Sequence, residues 1–519
     1  MTTHSNDYLK HLHQDLPASI VVFLVALPLC LGVALASGAP LFSGIIAGLV
    51  GGLLVSWASG SQLSVSGPAA GLTVIVFEAI ETLGGFGGFL LSLVIAGGIQ
   101  IILGFLKAGV IGAFFPASVI KGMLAAIGLI LIIKQIPHAT GYDTSFEGDE
   151  SYMQETAESS FFELTQALEG ITPGVTIVSV VALLILIIWE TGFIKQFKLL
   201  KLIPGPLLAV IWGISFNSLA LHFAPEWIIT EKHLVSLPEL GSTANFINQL
   251  RLPDFSYFTN PKIYSVAVTI AIIASLETLL SIEAVDKLDP HKRIAPTNRE
   301  LKAQGLGNMI SGLVGGLPIT AVIVRSSANI NAGGQTKISS FFHGVLLMVS
   351  VLFFAKYLNM IPLACLAAIL LQTGYKLAKP ALFVEFYRKG WNQFLPFAIS
   401  IVAILATDLL EGIAVGMACG FFFVLRANFH AAITLTQHGP HYLLRLHKDV
   451  SFLNKALLRK YLGEVPDDSD LRIDGAKAQF IDLDILETIA DFLLAAPDRG
   501  ISVEIQGFSV EGVAPSSGH

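Results

Sequence analysis

Charge is what this chain has least of. Of its 519 residues only 13% are Asp, Glu, Lys or Arg, where an ordinary soluble domain has roughly one-quarter, and 53% are hydrophobic. A soluble fold is thereby excluded, because apolar stretches of about 18–22 residues, each able to cross a hydrocarbon core of roughly 30 Å, recur from about residue 19 to 425. Cysteine is scarce as well: Cys30, Cys365 and Cys419 all lie in apolar segments with neither CxxC nor metal-like spacing, which leaves them as inert core thiols. His11, His13 and His138 have no ligand partners at metal spacing and read as surface histidines. The chain contains no GxxxxGKS or GxxxxGKT phosphate loop, no catalytic triad and no metal set, so no enzyme and no cofactor is expected, and energy for any transport must come from ion gradients. Net charge is −7, spread over loops and a polar C-terminus, and nothing in it is basic enough for nucleic acid.

What is present is a polytopic membrane pattern. The first apolar stretch, 20–36, contains Pro28 and runs into a second span without a small-residue cleavage site, so it reads as a retained helix. Between Gln135 and Pro173 the chain carries Asp143, Glu147, Asp149, Glu150, Glu155, Glu158, Glu163 and Glu169 but no Lys or Arg, as befits an external loop. Lys195, Lys198, Lys201, the run from Lys287 to Lys302, and Lys376, Lys379, Arg388 and Lys389 fill loops expected on the cytoplasmic side. Counting between them gives fourteen spans, both termini inside, and a place in the cell (inner) membrane. After Asn428 the composition changes, with strand-like stretches at 443–446, 470–473 and 501–505 and helical ones at 453–458 and 485–494. The division expected is a transmembrane transport domain, 1–430, and a small cytoplasmic α/β domain, 431–519.

Two spans are broken in the same way. Ser64-Val65-Ser66-Gly67-Pro68-Ala69-Ala70-Gly71 and Gly315-Gly316-Leu317-Pro318-Ile319-Thr320-Ala321 put glycine and proline where a membrane helix would otherwise continue. They are third and tenth of the fourteen, seven apart, and matched interruptions point to inverted repeats whose half-helices meet near the midplane. A half-helix starting there leaves its first N–H groups unpaired, and with the helix dipole they attract negative charge. Pro68 and Pro318 suit the first helical turn, which needs no donor, and Gly67, Gly315 and Gly316 allow close backbone approach.

Two charges are stranded near these breaks. Arg325 comes five residues after Thr320, which puts it more than one turn into the second half-helix, either facing the site or snorkelling to a terminus. Glu277 lies mid-span in 263–285 with Ser281 one turn on, so the two share a face that suits a cation or proton; the other reading is a carboxylate paired within the bundle.

At these residues the sequence resembles the SulP family of inorganic anion transporters. Ser66-Gly67-Pro68-Ala69-Ala70-Gly71-Leu72 is similar to the family's third-helix motif, Asn298-Arg299-Glu300-Leu301 with Gln304-Gly305-Leu306-Gly307-Asn308 to its ninth, and Gly315 through Asn329 to its tenth. The resemblance implies an all-α membrane domain of fourteen segments in two inverted repeats of seven, with two half-helices, working as a homodimer. It implies an anion, sulfate or bicarbonate and possible chloride exchange, held by Ser66, Gly67, Pro68, Ala69 and Ala70 on one side and Thr320, Ala321, Val324 and Arg325 on the other. It also implies coupling to Na+ or H+ through Glu277 and Ser281, where a sodium-coupled bicarbonate carrier would have Asp and Thr. Residues 440–510 resemble the family's STAS domain, with Leu483 where regulatory relatives carry a phosphorylatable serine.

Competing readings are a nucleobase or organic-anion permease of the same fold, disfavoured by the apolar Ala69, Ala70, Val322 and Val324, and a membrane sensor or scaffold acting through the STAS-like domain.

Overall fold

The computed structural model describes residues 10–110, 115–142, 171–196, 203–238, 249–407 and 409–510. The acidic residues from Asp143 to Glu169, and Lys198 and Lys201, lie outside them. The chain forms two compact units, 1–415 and 416–519.

The first unit is mostly helical, because a helix satisfies its backbone groups internally, away from water. Among the described residues seven helices are long and apolar enough to cross a membrane: α1 (Leu12–Ala36), α2 (Leu41–Ala58), α4 (Phe86–Phe105), α5 (Ala117–Thr140), α7 (Gly205–Phe223), α8 (Lys262–Leu288) and α11 (Ile338–Leu358). Shorter helices complete the unit: α3 (Thr73–Leu83), α6 (Pro173–Trp189), α9 (Thr297–Val314), α10 (Ile323–Asn331), α12 (Leu363–Leu377), α13 (Pro380–Arg388) and α14 (Trp391–Ala406). The helix α15 (Leu409–Ala432) follows.

Glycine pairs weld helices together, as small residues do where lipid supplies no hydrophobic drive for association. A Cβ on Gly97 of α4 would lie 2.5 Å from the Gly305 carbonyl oxygen of α9, and one on Gly52 of α2 would lie 2.7 Å from the Gly344 Cα of α11. Exchanging each helix for the one seven places along converts the second pair of helices into the first, the relation two repeats produce. Between α5 and α12, Gly128 and Gly374 face each other's carbonyl oxygens at 2.6 and 2.7 Å in the same sense. Gly305→Leu should therefore force α4 and α9 apart at a cost of about 3 kcal/mol or more, seen as a lower melting temperature of detergent-purified protein.

One end of the unit is tied by a buried carboxylate. Asp15 of α1 accepts from Gln335 N at 2.7 Å, Thr336 N at 3.1 Å and Thr336 Oγ1 at 2.5 Å, fixing the α10–α11 loop. Arg293 Nη1 donates to the Gln335 carbonyl at 3.0 Å, and its Nε to Asp289 at 2.6 Å, so the basic stretch between α8 and α9 grips the same loop. Burial would raise the Asp289 pKa, but the hydrogen bonds from Arg293 and His291 and the Arg293 charge outweigh it and hold the carboxyl below its usual range. His138 is buried, only 7% exposed, which corrects its reading as a surface residue; it lies in the last turn of the apolar α5.

The second unit holds a four-stranded sheet in the order β3 (Ile433–His438), β4 (His441–Val450), β5 (Asp470–Ile481), β6 (Ser502–Gln506), preceded in numbering by two short strands described below. The first pair is an antiparallel hairpin, and the other pairings are parallel. Parallel neighbours need crossovers: α16 (Lys455–Gly463) joins β4 to β5, and α17 (Leu483–Ala495) joins β5 to β6. Leu444, Leu446, Ile473, Ile485 and Ile489 form its core. Asp482 caps α17 through Asp484 N, leaving Leu483 exposed.

Candidate functional site

The two interrupted segments meet as strands before they become helices. β1 (Ser66–Pro68) pairs antiparallel with β2 (Ile319–Ala321), with Ser66 opposite Ala321, Gly67 opposite Thr320 and Pro68 opposite Ile319. This corrects the sequence reading on two points. Pro68 and Pro318 do not open half-helices: Pro68 lies in β1, and Pro318 directly precedes β2. Arg325 is not beyond the first turn either, because α10 starts only at Ile323. The cause is pairing: β1 and β2 satisfy each other's backbone, so each helix begins after its strand.

The helices start without side-chain caps. Ala70–Leu72 forms a tight 3₁₀ turn leading into α3, and Val322 precedes α10 with its N–H on the Val65 carbonyl at 3.0 Å. An α-helix leaves its first N–H groups without an intrahelical acceptor, and here no side chain fills that role.

A polar face of α9 holds the strand pair in place. Gln304 Nε2 donates to Ser66 Oγ at 2.8 Å. One turn on, Asn308 accepts from Ile319 N at 2.6 Å and donates to the Ile319 carbonyl at 3.1 Å and to Gln100 Oε1 at 2.7 Å. Another turn on, Ser311 Oγ donates to the Leu317 carbonyl at 2.6 Å. From α10, Ser326 Oγ accepts from Val65 N at 3.0 Å, and Asn329 Nδ2 donates to the Leu63 carbonyl at 3.1 Å. None of these clamps was identified from the sequence, although polar residues at 304, 308 and 311 are one helical face and were a usable signal.

Arg325 turns inward. It is fully buried, its Nη2 donates to the Pro68 carbonyl at 3.2 Å, and Nε and Nη1 find no hydrogen-bond acceptor, although the Cys30 thiol of α1 lies beside the guanidinium. A Cβ on Gly67 would collide with Arg325 Nη1, so the guanidinium occupies space that the absence of a side chain leaves open. Beside it opens a cavity of about 260 Å³ whose wall includes Pro68, Ala70, Val322, Val324, Arg325 and Ala328 from the half-helix region. The rest of the lining comes from Val25, Leu29 and Val33 of α1, from the ends of α6 and α12 and from the start of α7.

Glu277 of α8 approaches the other half-helix. A Cβ on Gly71 would lie 2.7 Å from Glu277 Oε1, and Oε2 is buried without a partner. The neighbouring Thr278 Oγ1 lies 3.4 Å from Ala321 N, so α8 touches both crossing segments. Ser281, one turn on, is buried.

Of the residues expected to bind anion, Pro68, Ala70, Val324 and Arg325 line the cavity, while Ser66, Gly67, Ala69, Thr320 and Ala321 are buried in the strand pair or at its edge. Glu277 and Ser281 are not on that wall. Among the described residues no three His, Cys, Asp or Glu side chains gather as a metal site. Cys30 and Cys365 are buried, and the Cys365 thiol donates to the Ala209 carbonyl at 3.2 Å.

Residues 12–403 match the model of the sulfate permease family. The chain is 29% identical to a putative sulfate transporter, YvdB of Bacillus subtilis, over 85% of this chain and 79% of the relative. It is 26% identical to the bicarbonate transporter BicA of a Picosynechococcus species, over 79% of this chain and 69% of the relative. Its fold is similar to the solved structure of SLC26A9, with a TM-score of 0.77 at 16% identity, covering 97% of this chain and 85% of that one.

Proposed function

We propose that this chain, which belongs to the sulfate permease family, carries a small inorganic anion, sulfate or bicarbonate, across the membrane by secondary transport. The observation that carries the reading is the buried guanidinium of Arg325, with Nε and Nη1 unpartnered, on the wall of a cavity beside two uncapped half-helices. An unpaired buried charge is costly unless something occupies it part of the time, and an oxyanion supplies acceptors for both free donors and for the helix N–H groups. Chloride exchange is a further mode for the same site.

Glu277 couples the anion to Na+ or H+ in this reading. Its carboxylate sits against Gly71 in the 3₁₀ turn that leads into α3, so neutralising it by a cation or proton would change the field at the half-helix. Residues 1–430 form the transport domain and 431–519 a STAS-like module; the protein acts as a homodimer in the cell (inner) membrane with both termini in the cytoplasm.

The test is uptake of labelled sulfate and bicarbonate into proteoliposomes, with and without inward Na+ and H+ gradients. Uptake of one anion driven by one gradient is expected; no uptake of either by folded protein overturns the reading. Glu277→Gln should lose about 10-fold or more of gradient-driven uptake while retaining exchange at equal concentrations, since it mimics the neutral carboxyl permanently. Retention of full gradient dependence would remove Glu277 from the coupling role.

A further inference from the structure

We infer that Lys376 is a second anion-contacting group, a relay between the cavity and Arg325 whose strength is set by its partner Glu190. The inference rests on the reading that the anion binds beside Arg325. Lys376 stands in the last turn of α12, Glu190 follows the last residue of α6, and their side chains form an ion pair. Both line the cavity that Arg325 also borders, and theirs are the exposed charges there, because Arg325 is fully buried behind the wall.

The pair is not shut away from its surroundings. The Lys376 side chain is 34% and that of Glu190 45% exposed, so an arriving anion can reach the ammonium without first unfolding the wall. The helices are already joined at this level by Gln372 Nε2, which donates to the Leu186 carbonyl at 3.0 Å. An ion pair this accessible adds little as a strap. Its charges have a larger use as a filter: Lys376 attracts an anion, and Glu190 keeps it from holding that anion so tightly that passage to Arg325 stalls. Conduction through successive sites requires such intermediate strength.

The experiment is equilibrium exchange of labelled sulfate and of labelled bicarbonate by the full-length protein in proteoliposomes. Equal anion concentrations on both faces make the direction of insertion irrelevant. Glu190→Gln frees the ammonium and should lower KM about threefold, Lys376→Gln should raise it about threefold, and added inert salt should shrink both shifts. The charge-swapped double variant Glu190→Lys/Lys376→Glu retains an ion pair and keeps the protein testable if a single variant folds poorly. A relay predicts that the swap does not restore wild-type KM, because the cation has moved to the other helix.

If both single variants shift KM in the same direction and the swap restores it, the pair is a structural strap and the inference is wrong. Unchanged KM in both single variants also overturns it. Arg325→Ala run alongside separates the two readings: loss of exchange there, with either of these outcomes at 190 and 376, removes the relay and leaves the central site standing. Wild-type exchange in Arg325→Ala would instead remove the site.

Discussion

In proteoliposomes Arg325→Ala should cut anion uptake about 100-fold or more, since two charge-assisted hydrogen bonds at about 1.5–3 kcal/mol each correspond to roughly 10²- to 10⁴-fold. The same variant should melt at an unchanged or higher temperature. Arg325 is fully buried, yet it makes one hydrogen bond, to the Pro68 carbonyl, and leaves Nε and Nη1 without partners. Burying an ion so poorly satisfied costs more than it returns, and apolar replacement of buried ionic groups is often neutral or stabilising. Arg325→Met, which keeps most of the volume, should be the more stable of the two variants. Arg325→Lys retains a point charge but not the planar fork, so an intermediate rate is expected. Separation of transport from stability is the signature of a residue kept for its ligand. Uptake close to wild type in Arg325→Ala would sink the site; a large fall in melting temperature would make the arginine structural.

The helices of the membrane unit were legible because lipid leaves the sequence little freedom, and the two breaks were legible because Gly67, Pro68, Gly315 and Pro318 cannot sit unnoticed in a continuous apolar run. What the breaks contain was not legible. Three residues are too few for alternation to identify a strand, and the pairing of β1 with β2 joins segments some 250 residues apart, here Gly67 and Thr320. Missing those strands moved both prolines into helices and put Arg325 a turn too far along. The direction of Arg325 was equally hidden, because it is decided by the space that Gly67 leaves for Nη1.

The C-terminal unit divides in the same way. Strands β4, β5 and β6 and helix α17 were visible in their periodicity, and Ile433–His438 was not, because it follows α15 without an intervening breaker. The ion pair of Glu190 and Lys376 joins the ends of two helices distant in sequence, and neither residue stands out alone.

Asn308→Ala should behave in the opposite way to Arg325→Ala, with stability and transport falling together. The Asn308 amide is fully buried and satisfies the N–H and the carbonyl of Ile319 and the Oε1 of Gln100 at once. Alanine would strand those groups where water does not replace the amide, at about 1–3 kcal/mol for each one left unpaired. In a unit of this size a loss of about 3 kcal/mol would lower the melting temperature by roughly 3–4 °C. Ser311→Ala removes a single hydroxyl donor from the Leu317 carbonyl and should cost about 1 kcal/mol, a built-in comparison on the same helix face. Transport should fall even in the fraction that remains folded, because β2 leads directly into α10 and displacement of a positioned group by about 1 Å can cost 100-fold. Normal melting with lost transport would instead put Asn308 in contact with the anion, a role its burial against β2 and Gln100 gives it no way to perform. The polar face of α9 is therefore a frame, and its residues are polar because the backbone they hold has been broken out of helix and needs partners for its N–H and carbonyl groups.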